Sequence, residues 1–186
     1  MILKNLAAMC RKRLFIEMFH DGNGMQWIRE GHAVYPMVGI PEVNKDQVMF
    51  LFDIPEKNRA KCMVTDLGHT ADEFYDVSDG AADNEVQIMP PAMMTGGNLL
   101  TPIMTSQGIA FFNAEYLKPV SDCEDLSLYE RYTKSGELYL VAKSGMMVEA
   151  VVIPENMSGE RGKNLLDSLK KITKMMAAQL GEEDEP

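Results

Sequence analysis

The sequence predicts an α+β fold in which two pseudo-symmetric antiparallel β-meander-plus-helix units share one core. Three observations predict it. Apolar and aromatic runs broken by glycine-containing turns occur twice, at residues 14–38 and 128–153. Each is followed by a helical pattern, and both close on the same tripeptide, Ile40-Pro41-Glu42 and Ile153-Pro154-Glu155. A fixed offset of 113 residues between positions 15–42 and 128–155 gives five identities in 28 places: Glu17/Glu130, Val38/Val151, Ile40/Ile153, Pro41/Pro154 and Glu42/Glu155.

Taken in order, residues 2–11 place Leu3, Leu6, Ala7 and Cys10 at helical spacing. Leu14–Phe19, Met25–Ile28 and Ala33–Val38 read as strands, with Asp21-Gly22-Asn23-Gly24 and Arg29-Glu30-Gly31 as the turns between them. Asn44 then caps a helix carrying Val48, Met49, Leu51 and Phe52 as far as Pro55, and Ala60–Thr65 is a further strand. Residues 66–85 hold seven acids and no Lys or Arg, the pattern of a solvated acidic loop. Between Met89 and Gly108 the prolines and glycines predict irregular chain or short edge strands.

Ile109–Phe112 is a strand, and Asn113 caps a short helix that Pro119 ends. Leu128–Thr133, Leu138–Ala142 and Met146–Ile153 form the second meander, with the near-identical turns Lys134-Ser135-Gly136 and Lys143-Ser144-Gly145. Residues 160–180 form a helix with Leu165, Leu166, Leu169, Ile172, Met176 and Leu180 on one face and Gly181 as its stop. The expected organisation is a single domain over 1–181, with repeat-like halves at about 12–65 and 109–180. The acidic tail, 182–186, is expected to be disordered.

Length and charge bound the function. At 186 residues the chain can bury one core, and 28 acids against 18 bases give a net charge of −10. A general positive coat for nucleic acid or acidic lipid is therefore excluded, and any polyanion contact must be local. Cys10, Cys62 and Cys123 are odd in number and lack a CxxC pair, which suggests a reducing compartment. With no apolar run near membrane-span length, a cytoplasmic location and no membrane partner are expected.

For chemistry, His20, His32 and His69 have no paired metal-site spacing, and neither a GxSxG elbow nor a phosphate-binding glycine loop occurs. The expectation is no metal, no cofactor and no recognised catalytic residue, although Glu17 and Glu130 occupy equivalent strand positions at the chosen offset. Trp27 reads as a core strand residue. Sixteen methionines suit both irregular cores and adaptable surfaces, and Met93-Met94, in a Pro/Gly-bounded apolar loop, is a partner-contact candidate. On the last helix Lys163, Lys170 and Lys174 fall within about 40° of one another, away from the apolar stripe. They form a local basic stripe where a phosphate backbone could sit.

The order strand, short helix Ala114-Glu115-Tyr116-Leu117 and three antiparallel strands over Ile109–Pro154 resembles the half-domain unit of DNA sliding clamps. The resemblance covers about a quarter of the chain and has no diagnostic motif. It implies an oligomeric accessory protein of DNA replication whose helices carry basic residues toward DNA. Here the short helix supplies only Lys118, and the helix after the first meander has Lys45 beside Asp46 and Asp53. The sequence thus points to a non-enzymatic binding or accessory protein, clamp-like in its most specific form, with a protein partner or self-association. A small-molecule enzyme with an unfamiliar site, or an adaptor with a Met-rich surface, are the alternatives.

Overall fold

The computed structural model describes residues 1–68, 75–83, 85–88, 100–157 and 159–180. They divide into two compact units, Met1–Pro154 and Glu155–Pro186. Met93, Met94, His69 and the acidic tail 182–186 lie outside the described residues.

The first unit is a mixed α+β body. It opens with α1 (Leu3–Arg13), which buries Leu6, Ala7 and Cys10 and ends where Leu14 takes a left-handed conformation, φ 55°. The first meander follows as β1 (Phe15–His20), β2 (Gln26–Arg29) and β3 (Ala33–Pro36). Its first turn is fastened by Asp21, whose Oδ1 accepts from the Asn23 and Met25 amides while Oδ2 accepts from Trp27 Nε1 at 3.1 Å. The Asn44 cap is realised as a capping box on α2 (Lys45–Leu51), with Gln47 reaching back to the Asn44 amide. A short α3 (Glu56–Arg59) leads into β4 (Met63–Asp66).

After the acidic segment come β5 (Val86–Ile88) and a hairpin of β6 (Leu100–Thr105) and β7 (Gly108–Asn113). Where irregular chain or short edge strands were expected, β6 is a regular six-residue strand that includes Pro102. A two-stranded ladder leaves each strand one free side, where a missing N–H costs nothing. Asn113 caps the following 3₁₀ helix, Ala114–Val120, by accepting from the Glu115 amide. The second meander is β8 (Leu126–Tyr132), β9 (Leu138–Ser144) and β10 (Met147–Val152).

Eight strands join in one sheet of order β4-β1-β2-β3-β10-β9-β8-β5. The meanders meet where β3 pairs antiparallel with β10, Val34 opposite Val151, and β4 adds parallel to β1. The central strands are buried on both faces. Ile16, Met18, Ile28, Tyr35, Leu140, Ala142 and Val152 face a large cluster with α1, α2 and the 3₁₀ helix. Phe19, Trp27, Val34, Tyr139, Val141, Val148 and Val151 face a second cluster, to which Tyr75 and Val77 contribute from the acidic segment.

The two faces expose a fault in the 113-residue offset. It carries Ile28 onto Val141, which belong to opposite clusters, and a one-residue slip reverses every side chain of a strand. Matching Ile16 to Leu128, Trp27 to Tyr139 and Ile28 to Leu140, a shift of 112, keeps each residue in its counterpart's cluster. The shared tripeptides are not equivalent either. Ile153 directly follows β10, whereas Ile40 lies four residues beyond the end of β3.

The second unit contains α4 (Glu160–Leu180), a 21-residue helix in the position and of the length that the periodicity predicts.

Candidate functional site

The basic stripe is the one sequence-predicted site that falls wholly within the described residues. Lys163, Lys170 and Lys174 are all exposed on α4, and Lys171 is exposed beside them. The same helix also exposes Ile172, Met175 and Met176, so a cationic side and an apolar side are both open to solvent. Such a surface can hold phosphate oxygens by charge and an apolar partner by contact.

Among the described residues of the first unit, two ion-paired centres are built around buried charges, and sequence reading identified neither. The first is built on Glu30, which the β2–β3 turn sends into the core beneath α1 with no exposed surface. Arg13 Nε lies 3.0 Å from its carboxylate, donates through Nη2 to the Tyr116 hydroxyl and covers the Tyr116 ring at 5.1 Å. The Tyr116 carbonyl accepts from the Tyr35 hydroxyl at 2.7 Å, and His32 stacks on the same ring. Burial pushes the Glu30 carboxyl up to about 7, against the lowering effect of Arg13. Neighbouring Cys10 is pushed far up, first by burial and then by Glu30, which makes it an inert thiol.

The second centre corrects the picture of a merely solvated acidic loop. Arg131 on β8 and Lys143 on β9 are buried, and they draw the segment around residues 76–85 inward. Arg131 donates to Glu85 Oε2 at 2.5 Å and to the carbonyls of Asp76, Ser78 and Gly80, at 2.7, 3.3 and 2.7 Å. Lys143 donates to Glu85 Oε1 at 2.8 Å, and Asp79 Oδ1 accepts from the Val148 amide. Burial alone would raise the Glu85 carboxyl, but hydrogen bonds from Lys143 and Arg131 outweigh it and hold the group below its usual range. Every donor of Arg131 is directed at an oxygen of this segment, so the centre fastens the loop and offers no open coordination position.

No known protein family, curated protein or solved structure matches this chain.

Glu17 and Glu130, equivalent at the sequence offset, are kept apart by the fold. Glu17 pairs with Arg29 across β1–β2 at 3.1 Å, while Glu130 is fully buried and accepts from the Ser106 amide at 2.9 Å. An open groove of about 640 Å³ lies near the latter, lined by Asp83, Glu85, Ser106, Gln107 and Tyr132. His20 faces Glu42 at 3.3 Å, and Trp27 is buried against Phe19 as a core residue. Among the described residues no three His, Cys, Asp or Glu side chains converge as metal ligands, and no helix is long and apolar enough to cross a membrane.

Proposed function

We propose that this chain is a non-enzymatic binding or accessory protein, with a clamp-like role at DNA as its most specific form. Lys163, Lys170 and Lys174 carry the reading: three exposed cations on one side of α4 make a local polyanion contact in a protein whose net charge is −10. Two features support the reading: the element order β7, 3₁₀ helix, β8, β9, β10 resembles that of a clamp half-unit, and the two meanders lie side by side, joined at β3–β10.

The test is binding of duplex DNA to the full chain as salt is varied. Three phosphate contacts give a slope of about −2.7 in log K against log salt, at about −0.9 per contact. Changing all three lysines to Glu removes the association and leaves thermal stability nearly unchanged, because exposed charges contribute little to folding. Absence of DNA association at low salt, with or without a polymerase partner, overturns the clamp form.

A protein–protein adaptor is the second reading. It is favoured by the adjacent exposed Met146 and Met147 where β9 turns into β10, flexible side chains suited to an adaptable contact surface.

A further inference from the structure

We propose that the apolar stripe of α4 is a self-association seam, covered by α4 of a second copy of this chain in antiparallel orientation. From Lys170 to Met176 every residue of the helix is exposed, so about two turns carry no cover on any side. A helix alone in water is marginal, and most helices are held by packing of an apolar face. Apolar residues recur at 165, 169, 172 and 176, in steps of four, three and four. That is the spacing of a coiled-coil seam, whose cover is a second helix of the same period.

Charge selects a copy of the same helix as that cover. Written as heptads with Leu169 and Met176 at a and Ile172 at d, positions a, d, e and g between 165 and 180 hold no charged residue. Lys163, Lys170, Lys171 and Lys174 fall at b, b, c and f, away from the seam. Residues 160–185 hold five bases and six acids, a net charge of −1 in a chain of −10, so like charge opposes pairing little along this segment.

The order of those charges sets the direction. The bases lie within 161–174 and four of the acids at 182–185, so the segment is complementary to itself in one direction only. Antiparallel pairing stacks Leu169 of each copy on Ile172 of the other and sets Arg161 beside Glu182, both at g. Parallel pairing sets the two acidic runs side by side. So short a seam is smaller than the roughly 800 Å² per partner of a standard interface, and the dimer is weak and concentration-dependent. Because the lysines stay outward in the pair, this inference is independent of the DNA reading of α4.

Analytical ultracentrifugation of the full chain tests the seam, using wild type, Ile172→Asp and Ile172→Ala. The wild type is expected to dimerise reversibly as concentration rises toward about 1 mM. Ile172→Asp, which enters the seam from both copies, weakens the dimer about tenfold or more. Ile172→Ala, a better helix former, weakens it as well, which separates loss of the seam from loss of the helix. Direction is read by oxidising an equimolar mixture of Arg161→Cys and Glu182→Cys and identifying the linked peptides by mass spectrometry; a 161-to-182 link between copies is expected. A wild type that stays monomeric, whether or not it binds vesicles of anionic lipid, overturns the proposal. So does a dimer indifferent to both Ile172 substitutions, or 182-to-182 linkage as the main product.

Discussion

Glu30 and Arg131 show how differently two buried charges can behave. The Glu30 carboxyl stands at about 7 in the fold against an ordinary value of 4.5, so between those pH values the native state holds a proton that the unfolded chain has released. Its contribution to stability is therefore greatest below about pH 4.5 and declines as pH rises toward 7, by about 3 kcal/mol in all. Glu30→Gln is expected to remove that decline, read as the difference in urea-unfolding free energy between pH 5 and pH 8; a variant with the wild-type pH slope contradicts the assignment. Arg131 is held the opposite way, by one carboxylate and three carbonyls that satisfy it fully. Arg131→Met leaves Glu85 and Lys143 to rearrange in a buried site and is expected to cost about 3–5 kcal/mol. Proteolysis between residues 76 and 85 is the local readout, and a loop as resistant as in the wild type refutes the latch.

At the level of elements, local chemistry was legible and long-range chemistry was not. Asn44 and Gln47 announce the start of α2 because a capping box is completed within four residues. Asn44→Ala is expected to cost about 1 kcal/mol by thermal melting, since the Asp46 and Gln47 amides then lose their acceptor. The strands of both meanders and α4 follow from periodicity in the same way. Strand runs and turns mark the second meander, but the offset of 113 misaligns it with the first, because the identities at Ile-Pro-Glu carry no information on which face each strand residue takes. The centres at Glu30 and Arg131 were hidden for another reason. Arg13 and Tyr116 are 103 residues apart, and Arg131 and Glu85 are 46 apart, so nothing local distinguishes those residues from solvated charges. Met93, Met94 and His69 fall outside the described residues, whereas the α4 lysines that periodicity puts on one side are all exposed.

Over the whole first unit, stability is shared across the β3–β10 seam. All four residues of β3 are buried, and their neighbours on one side come from a strand more than a hundred positions later. A fragment ending at residue 113 lacks β8, β9 and β10, leaves β3 as an open apolar edge, and is expected to remain unfolded by circular dichroism. A cooperative melt of that fragment shows the first meander to be autonomous. Trp27 offers an optical consequence of the same arrangement. It is the sole indole of the chain, stacked on Phe19 and tied to Asp21 within the first meander, while the second meander has only tyrosines. Its emission therefore reports on one flank of the sheet, and far-ultraviolet ellipticity reports on the entire backbone. Coincident denaturation curves from the two signals would mark the seam as a single cooperative joint, and a fluorescence change that runs ahead of the ellipticity would locate the weaker flank.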